Sequence, residues 1–340
     1  MNQLENLLQQ YFESFFNNDA EKFLFNIECD NTKYTNSEVS DWLEIENQFK
    51  ELLHCDSLNN YFLEIAETGS FFIRKLFDKY VDNNTFVVGS EEHSVIRESM
   101  NNSQNILKLT YNIVKRFDID SIIQRYKQSG CNKIFIYATG VLETHITPQA
   151  FYIKLKEALV ENGIEHYLVL DDVQTMFMIP KDYSIYDSVV FTCHALVPAF
   201  NSGILFSKKF ENLGYTDADK LSQYLNGLEI ILDKKDKLYL FNTILQQYYG
   251  EELANKDIFT IPENSPLHNF YILLANPKYE RLLNKYTEEL KEYNIEISGM
   301  SIVIRSTAIL KQEPAYMIEG FRKLKEALQK LIKLKDRMQI

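Results

Sequence analysis

Cysteine is scarce in this chain, with only Cys29, Cys55, Cys131 and Cys193. Their scatter excludes a Cys-based metal site and a disulfide scaffold. They read as reduced, mostly buried thiols of a cytoplasmic protein. The six histidines are dispersed as well. No H-x-x-x-H pair occurs, so a metal hydrolase has no ligand set to start from, and no metal is expected. No G-x-G-x-x-G follows a strand-like run, which removes the dinucleotide fingerprint of a dehydrogenase. Nowhere do apolar residues run to the roughly 18 that a membrane span needs. Positive charge is in deficit, 36 Lys and Arg against 48 Asp and Glu, for a net charge of −12. A phosphate-backbone or anionic-membrane surface requires the opposite, so neither nucleic acid nor membrane is an expected partner. The one basic cluster, KLKEALQKLIKLKDR near the C-terminus, alternates with Leu and Ala as the wet face of a terminal helix does. There is no internal repeat and no low-complexity linker.

What the chain does contain is a rhythm. Its first quarter is helical in pattern: LENLLQQYFESFF, then SDWLEIENQFKELLHC with Ser40 and Asp41 placed to cap it. Short β-branched apolar runs then alternate with helix-length segments. The runs are TFVVG (85–89), NILKLTY (105–111), KIFIYAT (133–139), HYLVLDD (166–172), SVVFTC (188–193) and GILFSK (203–208). Between them lie FDIDSIIQRYKQSG and TPQAFYIKLKEALVENG, the second with Thr147 as cap, Pro148 in the first turn and Gly163 as stop. Strands that are almost continuously apolar, alternating with helices, predict a mostly parallel sheet with helices on both faces. Helices then dominate to about Tyr293, with FYILL (270–274) as a candidate strand. IEISG and SIVIRST form a strand pair before a last long helix from about Pro314. The expected organisation is an N-terminal helical segment (1–58), a large α/β domain (59–230) and a smaller C-terminal α+β domain (231–340).

Ligands of open α/β sheets bind beyond the carboxyl ends of the strands, so the polar residues there are the ones to weigh. HYLVLDDVQT closes a strand with two acids and a glutamine. This is either a solvated exit or a site where Asp171 pairs with a protonated heteroaromatic nitrogen and Gln174 with an oxygen on the same ring. In IAETGSFFIRKLF, Thr68, Gly69 and Ser70 open a helical pattern, and the exposed N–H groups of such a start suit a phosphate. VVFTCHA puts Thr192 and His194 on one side of an extended segment.

Taken in chain order, these pieces resemble the fold-type-I pyridoxal-phosphate enzymes. The match is best to their aminotransferase class V and cysteine-desulfurase-like branch. The pieces are a Thr-Gly-Ser helix start, E-H-S-V after a strand, D-x-V-Q-T after a strand and a T-x-H strand exit leading to GILF. The resemblance covers about residues 60–210 and resumes at SIVIRST. It implies a three-layer α/β/α large domain, a smaller α+β domain, pyridoxal 5′-phosphate as cofactor, an amino acid or small amine as substrate, and a homodimer. It implies further that Asp171 pairs with the ring nitrogen, that Val173 lies under the ring and that Gln174 meets the ring oxygen. Thr68, Gly69, Ser70, Thr192 and His194 would surround the phosphate, and His93 would stack over the ring, with Glu92 in that place if no gap is allowed. Arg305 would bind a substrate carboxylate through its planar fork.

The resemblance also sets an anomaly. The residue after the strand-exit histidine should be the lysine that bonds to the cofactor, and here it is Ala195. A methyl group neither tethers the aldehyde nor moves a proton. Lys181, Lys208 and Lys209 occupy the wrong positions to replace it. The family's usual asparagine falls at Val141, with Glu143 and His145 nearby. Two readings therefore stand. One is an aminotransferase-like enzyme whose lysine was replaced, holding the cofactor non-covalently or as an external aldimine. The other is a naturally lysine-less relative that binds a ligand or partner, with His194 or His145 as the base in any remaining chemistry.

Overall fold

The computed structural model describes residues 56–90, 94–101, 104–142, 145–173, 175, 181–192, 203–214, 242–250, 257–262, 269–305 and 314–338, with 6, 10, 46–48, 50, 51 and 240. The chain divides into two compact units, Cys29–Leu232 on one side and Met1–Glu28 with Asp233–Ile340 on the other.

Among the described residues, the main sheet of the first unit has seven strands. In chain order they are β1 (Phe62–Ala66), β2 (Thr85–Gly89), β3 (Ile106–Lys108), β4 (Lys133–Thr139), β7 (Glu165–Asp171), β8 (Ser188–Thr192) and β9 (Gly203–Ser207). A small hairpin, β5 (Val141–Leu142) with β6 (His145–Ile146), follows β4. The spatial order is β1-β9-β8-β7-β4-β2-β3. The pairs β2–β3, β2–β4, β4–β7 and β7–β8 are parallel, whereas β9 runs antiparallel to both its neighbours. The run TFVVG is a strand end to end because all five of its residues are buried, as both faces of the sheet are covered.

Alternation along each strand sorts its side chains into two cores. Ile134, Ile136 and Ala138 of β4 pack with Leu168 and Leu170 of β7 against helices α4 (Ile119–Ser129) and α5 (Gln149–Glu161). Phe135 and Tyr137 point the other way and join Val169, Val190 and Leu205 beneath α1 (Gly69–Tyr80) and α2 (Ser94–Asn101). Phe72 and Leu76 of α1 are fully buried there, one turn apart on a single stripe. Each such side chain contributes about 2 kcal/mol by removal from water. The three-layer α/β/α arrangement is therefore present as expected.

The helix ends follow local chemistry. The stretch NILKLTY is strand only to Lys108, because the Thr110 hydroxyl accepts the Ile113 N–H and starts α3 (Tyr111–Arg116). Phe117 and Gly130, both left-handed, end α3 and α4. In α5 the expected cap is corrected. Pro148 is the N-cap and makes no side-chain bond, while Thr147 Oγ1 is buried with no hydrogen-bond partner among the described residues. The Thr147 N–H donates to the Gly140 carbonyl at 3.0 Å, which holds the residue at the hairpin base, one position too early to cap. Asn162 and then Gly163 (φ 63°) close the helix.

Strand β1 escaped the sequence reading because Glu64 sits in its middle. That carboxylate is buried, and it accepts the N–H groups of Glu211, Asn212, Leu213 and Gly214 at 2.7–3.1 Å. A charge is tolerated inside a strand here because four aligned donors replace its water.

In the second unit an antiparallel sheet has the order β10-β11-β13-β12. Its strands are β10 (Phe259–Thr260), β11 (Asn269–Leu274), β12 (Ile295–Ser298) and β13 (Ser301–Arg305). Helices α6 (Pro277–Leu283), α7 (Thr287–Glu292) and α8 (Pro314–Met338) accompany it. Met317, Phe321, Leu324 and Leu328 form the buried stripe of α8, while Lys330 and Lys333 are exposed. Among the described residues, no helix is long and apolar enough to cross a membrane.

Candidate functional site

The site begins with Asp171, the last residue of β7, which pairs with Thr139 of β4 and Val190 of β8. Alternation places it on the face of Val169, under α1, and it is 9% exposed. Its Oδ2 accepts the Tyr137 hydroxyl, and its Oδ1 accepts the Val173 N–H at 3.2 Å. A carboxylate so far out of water, with a donor fixed to each oxygen, is the natural partner of a cation.

The second component is the start of α1. Thr68 has extended backbone (φ −149°), and its Oγ1 accepts the Phe71 N–H at 3.2 Å, so its own hydroxyl hydrogen points elsewhere. The N–H groups of Gly69 and Ser70 belong to the first turn and have no intrahelical acceptor. Two glycines let this turn reach the sheet. A methyl group on Gly69 would lie 3.3 Å from Val190 Cγ1 and 3.4 Å from Thr192 Cβ. One on Gly203 would run into the backbone of Thr68 and Gly69. Since Gly203 pairs with Thr192, the ends of β8 and β9 are pressed directly against the helix N-terminus. Thr192, two residues beyond Val190, is buried at the same edge and on the same face as Asp171.

Thr68, Gly69, Ser70, Thr192 and Asp171 are thus brought to one edge of one face. The helix N-terminus and hydroxyls can take an anion, and the carboxylate can take a protonated nitrogen. A molecule carrying both groups, such as the phosphate ester of a protonated pyridine, fits this donor and acceptor set. Val173 is half-buried beside Asp171. Gln174, Glu92, His93, His194 and Ala195 lie outside the described residues. Arg305 ends β13 in the second unit, opposite Asn269; its side chain is likewise outside them.

Three features went unnoticed in the sequence. Tyr137 reads there as one more apolar strand residue. Gly203 reads only as the first residue of the apolar run GILFSK. The acid next to Asp171 belongs to a different system. Asp172 is fully buried and accepts from Lys181 and Thr175 on Oδ1, and from the Tyr183 hydroxyl at 2.6 Å on Oδ2. Tyr183 is part of the core on the opposite face of the sheet. The Lys181 ammonium is therefore engaged in a buried ion pair away from the Asp171 face. Consecutive strand residues point opposite ways, so the two acids could have been separated from the sequence by period alone. His145 stacks on Tyr111 with ring centroids 4.0 Å apart. Among the described residues, no group of three or more His, Cys, Asp or Glu is arranged to hold a metal.

No family model matches the sequence, and no curated protein does. Solved structures do match the fold. A NifS-like protein from Rickettsia africae superimposes with a TM-score of 0.64 at 13% identity, covering 96% of this chain and 95% of that one. Tryptophan decarboxylase from Catharanthus roseus, in complex with L-tryptophan, gives 0.64 at 12%, covering 97% and 81%. Serine palmitoyltransferase from S. paucimobilis, a lysine-to-alanine variant with a bound PLP–myriocin aldimine, gives 0.59 at 12%, covering 94% and 86%. The chain carries the fold of the fold-type-I pyridoxal-phosphate enzymes.

Proposed function

We propose that this chain binds pyridoxal 5′-phosphate together with an amino acid or small amine, as an aminotransferase-like enzyme in which Ala195 stands at the position of the covalent lysine. The observation that carries this reading is the buried Asp171 carboxylate on the same face and edge as the α1 N-terminus, with Gly203 making room for that turn. When bound, the cofactor would supply an electron sink for bonds at the substrate's α-carbon.

The chain's own residues would divide the remaining work. Asp171 would keep a proton on the ring nitrogen, and Val173 and Gln174 would fix the ring's face and its oxygen. Thr68, Gly69, Ser70, Thr192 and His194 would hold the phosphate, and His93 would cover the ring. Arg305 would receive a substrate carboxylate. Ala195 can neither tether the aldehyde nor carry a proton, so retention would rest on these non-covalent contacts and on the amine itself. The serine palmitoyltransferase variant supports that arrangement, since it holds its PLP–myriocin adduct with a lysine changed to alanine. By the resemblance, the working unit would be a homodimer, and the four scattered cysteines favour a cytoplasmic one.

Ala195 also favours a second reading, a lysine-less relative that binds such a ligand without turnover. The test is to add pyridoxal phosphate to this chain and to an Ala195→Lys variant, then dialyse. Retained cofactor and a new visible band in the lysine variant, with a persistent coloured species in this chain only when an amino acid is added, support the proposal. If neither protein retains cofactor, it is refuted. Retention by both without turnover in the lysine variant selects the second reading.

A further inference from the structure

The geometry points to Tyr137 as a positioning residue that sets the Asp171 carboxylate for a protonated ring nitrogen, an inference that rests on the proposed function.

Tyr137 lies on β4, next to Val169 of β7 and Gly89 of β2. It is 2% exposed, and its ring sits in the apolar layer under α1, 6.3 Å from the Phe77 ring. Strand β2 makes room for it. A methyl group on Gly89 would come within 3.1 Å of Tyr137 Cβ, so this is a crowded position in which a bulky ring was accommodated. Phenylalanine would fill the same volume. The hydroxyl is an added cost in this layer, because a buried O–H must recover the hydrogen bonds it gave up in water.

It recovers them on Asp171 Oδ2, while the Val173 N–H occupies Oδ1. The two donors come from different segments, the neighbouring strand and the turn beyond β7. Both oxygens are therefore placed by groups that belong to the protein. The carboxylate plane is set before any ligand arrives, as electrostatic preorganisation requires. A phenol donor also suits the ionised carboxylate better than the neutral acid, and a neutral acid could not neutralise a pyridinium.

The test compares two probes on the full chain by equilibrium dialysis, with an amino acid present. One is pyridoxal phosphate; the other is its 1-deaza analogue, in which carbon replaces the ring nitrogen. Tyr137→Phe should weaken pyridoxal phosphate by about 10-fold, the worth of one hydrogen bond to a charged group, and leave the deaza analogue within about 2-fold. In an Asp171→Asn background the same change should have no further effect. Equal weakening of both probes, or losses that multiply in the double variant, would show a merely structural tyrosine and overturn the inference. So would an unchanged affinity for pyridoxal phosphate. Should Tyr137→Phe fail to fold, Asp171→Asn alone must still abolish the discrimination between the probes, or the inference falls. A parent chain that binds neither probe would instead remove the proposed function itself.

Discussion

Replacing Gly203 by alanine tests the close approach on which the candidate site is built. The new Cβ would lie 2.5 Å from the Thr68 carbonyl oxygen and still closer to Thr68 C and Gly69 N. Carbon–oxygen contacts normally begin near 3.3 Å, so the first turn of α1 would have to retreat by roughly 1 Å. No side chain can rotate out of the way, because all three neighbours are backbone. Forcing a methyl group into such a place costs about 1–3 kcal/mol, and the lower chain entropy of the unfolded alanine variant offsets less than about 1 kcal/mol of it. A net loss of about 1–2 kcal/mol in a unit of this size should lower the melting temperature by roughly 2–8 °C. Gly69→Ala is the internal control. Its nearest contacts, at 3.3 and 3.4 Å, are side-chain atoms of Val190 and Thr192, so the fall should be smaller. Circular dichroism melting of the two variants decides the point. Binding of pyridoxal phosphate by Gly203→Ala should fall at least 10-fold, because the retreating turn takes the Gly69 and Ser70 N–H groups with it. A Gly203→Ala protein that melts within 1 °C of the parent, or melts above Gly69→Ala, would refute the reasoning.

Glu64→Gln puts an amide where two of the four N–H donors need an acceptor, which should cost about 3 kcal/mol and expose the 211–214 amides to faster hydrogen exchange. Unchanged exchange at Leu213 and Gly214 would count against that role. Alkaline pH should destabilise the fold. Burial, followed by the hydrogen bond to Glu211, raises the Tyr80 phenol above its usual 10.0, and burial raises Tyr167 more strongly. Both phenols remain neutral when folded but ionise near 10 when unfolded. Their contribution is whole below pH 10 and is lost as pH rises beyond it. Urea midpoints at about pH 8 and about pH 11 should differ, and by less in a Tyr80→Phe, Tyr167→Phe double variant. At the acid end, the Asp82 carboxyl is held down to about 2, first by Lys133, then by Thr85 and the Asn84 N–H. Its contribution is complete above the usual 3.8 and fades as pH falls toward 2, a dependence that Asp82→Asn should remove.

Much of this architecture was legible because the sheet is buried on both faces. KIFIYAT is β4 residue for residue, and TFVVG is β2, since nothing in either run interrupts the apolar pattern. Strand β1 was not legible, because Glu64 interrupts it and its partners, the 211–214 amides, lie far along the chain. The reversal of β9 was not legible either, because direction leaves no trace in a fully buried strand. At the site, Asp171 and the Thr68–Ser70 turn could be named from residue type and position at element ends. Tyr137 could not. Its hydroxyl matters only through a register that sets β4 beside β7, and single-strand patterns carry no register between strands.

The placement of β9 between β1 and β8 has a consequence for the birth of the protein. The first and last strands of the sheet are neighbours, so its edge cannot be sealed until the ribosome has released everything from Phe62 to Ser207. Until Gly214 emerges as well, the Glu64 carboxylate lacks the amides that replace its water. The sheet should thus close late and all at once, and a nascent chain halted before residue 214 should be easily digested by protease while one released just beyond it resists.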